Sequence, residues 1–110
     1  MNKLSLLATG REQLDRAQRS GAGRSAATVY GGHEHVLRQT VIAIAAGAEL
    51  AEHANPGEAT VFVIDGRVRL TGAAASWEGL AGDLLIVPDE PHSLSALEDA
   101  VVLLTVAKLG

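Results

Sequence analysis

A chain of 110 residues, 47% of them hydrophobic, with a net charge of −4, suffices for one core and not for two. That acidic balance lacks the clustered basic face of a nucleic-acid binder, and the absence of cysteine excludes disulfides, thiolate metal sites and cysteine nucleophiles. No apolar run approaches the roughly 18 residues that span a bilayer, and the apolar part of MNKLSLLATGRE is shorter than a signal-peptide core; a cytoplasmic location without membrane contact is expected. With one Trp, one Tyr and one Phe, the core must be aliphatic.

In chain order, Thr9 and Glu12 form a Thr-x-x-Glu capping pattern and Gly21 stands where a helix would stop, which predicts a short helix near 10–20. Its apolar stripe, Leu14 and Ala17, is narrow. Residues 21–27, GAGRSAA, read as a flexible connector, so 1–27 form an N-terminal extension and 28–110 a single domain. From Thr28 onward, runs rich in Val, Ile, Leu and Thr are punctuated by turn residues, and strands are expected near 28–30, 36–45, 50–54, 59–64, 67–71, 76–79, 84–87, 92–96 and 100–107. Asp65-Gly66 between two such runs is the strongest hairpin signal. Many short strands with no helix between them predict an all-β sandwich or barrel. Arg67 and Arg69, alternating beside Asp65, read as a solvated strand face.

Two strands, VIAIAA (41–46) and VVLLTV (101–106), are apolar on both faces and need cover on both sides. The predicted helix is too polar to supply much of it, which points to a partner subunit and a homodimer.

Two further stretches have a shared frame. In GAELAEHANPGEATVFVIDG (47–66), Gly47 is followed by five residues and His53, with Gly66 closing; in GDLLIVPDEPH (82–92), Gly82 is followed by five residues, Pro88 and His92. Together they resemble the two motifs of the cupin superfamily, and the resemblance covers roughly residues 30–107. It implies a cupin-type jelly-roll β-barrel behind a short N-terminal helix. It also implies a pocket facing His53 and Asn55, with His92 approaching from another strand. Metal-binding cupins take two His and a Glu from the first motif and a His from the second. Here the second His is Asn55, and the carboxylate position falls on Ala59, with Glu58 one residue off and facing away. Only His53 and His92 remain as metal ligands, so a divalent transition metal would be held weakly or not at all.

Ala59, Val61 and Val63 point inward and make a narrow aliphatic interior, which small barrels usually fill. If 36–45 folds back at Gly47 onto 50–54, Val41 lies opposite His53 and Gln39 opposite Asn55, which adds Gln39 to the pocket. Trp77 is a packing residue at a sheet edge or the wall of a flat-ligand site.

GGHEHVLRQ (31–39) holds a second pair, His33 and His35, but without the frame: Ala27 stands where the motif needs Gly, and no Glu follows at the required spacing. In the hairpin register above, His35 would lie on the order of 20 Å from the site. The pair is expected at the rim or in a subunit contact, near Glu34 or Arg38. Three functions stay open: a dimeric domain binding a small molecule in its barrel, a metal-dependent enzyme of dioxygenase or isomerase type using His53 and His92, and a non-catalytic dimerisation scaffold.

Overall fold

The computed structural model describes residues 3–53 and 57–108. One helix, α1 (Leu6–Arg19), precedes nine strands: β1 (Arg24–Tyr30), β2 (Leu37–Ile44), β3 (Glu49–His53), β4 (Gly57–Asp65), β5 (Arg67–Thr71), β6 (Ser76–Leu80), β7 (Leu84–Ile86), β8 (His92–Ala96) and β9 (Ala100–Lys108). They form two facing sheets, ordered β1-β2-β9-β4-β7 and β3-β8-β5-β6. All the pairings are antiparallel.

Most chain neighbours do not pair with each other. Only β1 with β2 and β5 with β6 are hydrogen-bonded in sequence; the other connections carry the chain from one sheet to the other. Asp65-Gly66 is therefore a corner and not the expected hairpin, since β4 pairs with β7 and β9 while β5 pairs with β6 and β8. The turn at Gly47 is a second corner. It puts β2 beside β1 and β9, and β3 beside β8, so the register that set Val41 against His53 does not form. Both corners use glycine at positive φ, 86° at Gly47 and 82° at Gly66.

Strand alternation fills the space between the sheets. Ile42, Ile44, Val61, Val63, Val68, Leu70, Leu94 and Val102 form one aliphatic cluster, with Ala59 packed against it. The inward placement expected for Ala59, Val61 and Val63 is what the structure has. The opposite face of β5 carries Arg67 and Arg69, both bonded to Glu78 of β6 at 2.5 and 2.7 Å, so the arginines stand on a solvated ion-pair face.

The outer face of the larger sheet has its cover within the chain. Ala17 of α1 is fully buried against Val41, Ala43 and Val101, with Leu6 and Leu14 beside it. The helix was expected to be too polar for this role. It succeeds through closeness: an ideal Cβ on Gly10 would lie only 2.9 Å from Val101 Cγ1, so glycine admits the helix to the sheet. Gln13 is buried beside it and accepts a hydrogen bond from Ser25 Oγ at 2.5 Å. A small residue and a satisfied amide thus do the work of apolar bulk. The helix also starts earlier than expected, because Ser5 Oγ and not Thr9 accepts the first-turn hydrogen bond, from the Ala8 N–H at 3.1 Å.

The supposed connector differs as well. Arg24–Ala27 pairs with Ile44–Val41 as the first half of β1. Its Arg-Ser-Ala-Ala sequence has little strand propensity; a neighbouring strand and a helix laid across it impose the conformation.

The Glu78 cluster makes a pH-dependent prediction. Hydrogen bonds from Arg69 and then Arg67 hold the Glu78 carboxyl below its ordinary value of 4.5. A depressed folded value means that the stabilisation is present above the unfolded carboxylate range and disappears as pH falls through the folded value. Urea midpoints of wild type and Glu78→Gln should therefore differ near neutrality and converge in acid. A gap that stays constant with pH would assign the effect to packing.

Candidate functional site

The strands that carry the two histidine motifs lie side by side in the smaller sheet. His53 ends β3, His92 begins β8, and the two are paired across the strands. Asn55 lies outside the described residues. Pairing of β3 with β8 through Leu50 and Leu94, followed by a register irregularity, places His53 and His92 at the same end of the barrel.

His92 is 6% exposed. Its Nδ1 lies 3.0 Å from the Glu90 carbonyl oxygen. A carbonyl can only accept, so Nδ1 carries a proton and donates it to this oxygen. Anchoring one ring nitrogen on a backbone carbonyl is how folds commonly orient such a ring.

Beneath it the barrel is nearly full. The interior cavity measures about 20 Å³ and is walled by aliphatic side chains including Ile42, Leu50, Val61, Leu70 and Leu104; His92 is the single polar side chain among the described lining residues. That is room for about one water molecule, against the roughly 300–1,000 Å³ of ordinary ligand pockets.

By residue type, the motif positions do not supply the ligand set of a tightly held transition metal. No three His, Cys, Asp or Glu residues converge among the described residues. The carboxylate position is Ala59, packed against the core cluster. Two imidazoles fall short of the three or four protein ligands such ions take.

Gln39 stands elsewhere. Strand alternation puts it with Val41 and Ala43 on the outer face of β2, where its Nε2 donates to Thr105 Oγ1 at 3.2 Å. It lines a groove under the start of α1, across the sheet from the barrel interior. Its assignment to the pocket rested on the β2–β3 hairpin, which the corner at Gly47 replaces. His33 and His35 sit in the exposed connection between β1 and β2, where strand alternation does not aim their rings. His35 meets Tyr30 edge to face, ring centres 5.3 Å apart. Trp77 lies on edge strand β6 and is 46% exposed.

The groove was missed in the sequence because its parts come from distant segments: Lys3, Leu4 and Leu6 from the N-terminus, Tyr30 and Gln39 from the β1–β2 hairpin, and Leu103 from β9. The signal available was the apolar LSLL at 4–7, read only against signal-peptide length.

Two antiparallel sheets exchanging strands at glycine corners, with paired histidine-bearing strands at one end, define a jelly-roll barrel of cupin type. Residues 40–107 match the family model described as "Cupin domain", and the chain belongs to that family. Solved structures agree on the fold. A conserved protein of unknown function from Streptococcus pyogenes is 24% identical, with a TM-score of 0.76 over 99% of this chain and 89% of that one. Coverage that complete takes in the N-terminal helix. A cupin superfamily protein from Desulfitobacterium hafniense is 14% identical, with a TM-score of 0.71 over 78% of each chain. An RmlC-like cupin protein from Desulfovibrio desulfuricans is 26% identical, with a TM-score of 0.67 over 76% of this chain and 81% of that one. Comparison with curated proteins returns no match. Among the described residues, no helix is long and apolar enough to cross a membrane.

Proposed function

We propose that this cupin domain binds a small molecule at the barrel mouth, beside His92 and His53, and does so as a homodimer. The observation that carries the reading is His92 itself: a buried imidazole, its ring oriented by the Glu90 carbonyl, standing as the polar member of an otherwise aliphatic wall. Such a group sets an oriented polar ring beside an apolar surface, the mixture that orients small ligands. The enzyme reading has less support, because Ala59 occupies the motif's carboxylate position and the interior has no room for a substrate.

Support for the dimer comes from a different face than the sequence suggested. Helix α1 covers Val41, Ala43 and Val101, but beyond its reach Phe62, Leu84 and Ile86 are 37%, 56% and 67% exposed on neighbouring strands β4 and β7. A contiguous apolar stripe of this kind is suited to a second subunit. The exposed His33 and His35 are read as rim or subunit-contact groups.

Native mass spectrometry of protein purified without a histidine tag tests both parts. The expected result is a dimer retaining a small non-metal mass that His92→Ala loses, and Ile86→Glu is expected to yield monomers. Wild-type protein that is monomeric and carries nothing would sink the proposal. Iron, manganese, zinc or nickel at full occupancy after dialysis against a chelator would favour the metal enzyme instead.

A further inference from the structure

The largest concavity described above lies outside the barrel. Between the start of α1 and the outer face of β1, β2 and β9 runs a half-open groove of about 690 Å³, within the range of ligand sites and far above the interior cavity of about 20 Å³. We propose that this groove binds a small amphiphilic monoanion: an anionic head on a short linear hydrocarbon tail, such as a medium-chain carboxylate. The inference does not depend on the barrel-mouth reading.

The chemistry of the walls selects that class. Leu4, Leu6 and Leu103 give an aliphatic lining suited to a flexible chain, and Gln39 and Tyr30 supply polar groups along it. Lys3 is the single charged residue among the described lining residues, and it is a cation. Helix α1 begins alongside with no acidic residue in its first turn, so its positive end is not neutralised locally. An anionic head is thus complementary to the groove and a cationic head is opposed by it. Gln39 donates an amide N–H to Thr105 Oγ1, which orients its side chain at the groove floor.

The test is an NMR titration of the full chain with sodium octanoate at low ionic strength, with octylamine and acetate as comparators. Octanoate should saturate and shift the amide signals of Tyr30, Gln39 and Leu103, while octylamine and acetate should not. Lys3→Arg should retain binding. Lys3→Glu, an exposed change that leaves the fold intact, should weaken it at least about tenfold, or about 1.4 kcal/mol. His92→Ala should bind octanoate as wild type does, which separates this site from the mouth. Equal binding of octanoate and octylamine, an unaffected Lys3→Glu variant, or shifts centred on His92 would each overturn the proposal. So would uptake by anionic vesicles without binding of free octanoate.

Discussion

Gly66→Val is expected to remove most of the stability of this domain. Gly66 turns the chain from β4 to β5 at a φ of 82°, a region a β-branched residue enters at a cost of about 1–3 kcal/mol. The larger penalty is steric. An ideal Cβ there would overlap the Asp99 carbonyl oxygen and lie 2.7 Å from Ala100 Cα, so backbone must move. That backbone is anchored: Ala100 is fully buried at the start of β9, and the Asp99 carboxylate accepts hydrogen bonds from Gln18 and from the Ala46 N–H. Together the two effects should exceed about 4 kcal/mol, where single substitutions become exceptional and a domain holding about 5–15 kcal/mol is seriously weakened. Gly47 provides the internal control, since its φ is 86° but nothing lies within 4 Å of an added Cβ. Gly47→Asn should shift the urea midpoint slightly and Gly66→Asn severely. Equal shifts would show that torsion alone matters and that Asp99 yields.

The second large effect is expected at Ala17. Its side chain is fully buried between α1 and the sheet, touching the cluster of Val41, Ala43 and Val101. Ala17→Glu would place a carboxylate in that apolar contact, at a cost of several kcal/mol or the undocking of the helix. Undocking would expose the outer faces of β2 and β9 and produce aggregation, together with proteolytic cleavage within residues 5–20. Arg11→Glu, on an exposed helix position, should leave the thermal midpoint within a degree or two, as surface substitutions usually do. Wild-type stability for Ala17→Glu would mean that the helix is not what covers the sheet.

Both predictions rest on features whose meaning changed between sequence and structure. Asp65-Gly66 was legible as a turn, because the residue types that permit tight reversal are local. That it is a corner was not legible, because a hairpin and a corner use the same residues and differ only in which strands they deliver to each other. The error then propagated: a hairpin at Gly47 would have carried Gln39 into the pocket, and a corner leaves it on the outer face with Thr105. Leu14 and Ala17 were legible as a contact stripe, but helix reach was judged by apolar bulk. Gly10 and the Gln13–Ser25 bond, which let the helix approach closely, acquire that role only when the sheet is present.

The all-β class, the approximate strand positions after Thr28, the inward side of β4 and the motif frame around His53 and His92 were all legible along the chain. These follow from period-two alternation, turn chemistry and residue spacing, which are properties of neighbours along the chain. Which strands pair, which element covers the outer face, how little space the barrel interior retains and where the larger groove lies emerge only in the folded chain. Each of these depends on contacts between segments far apart in sequence. The pairing of His53 with His92 is set by β3 and β8 meeting in one sheet, and the groove by Lys3 and Leu6 meeting Leu103. No local pattern encodes such distances, because the energy that selects them is the burial of all the faces at once.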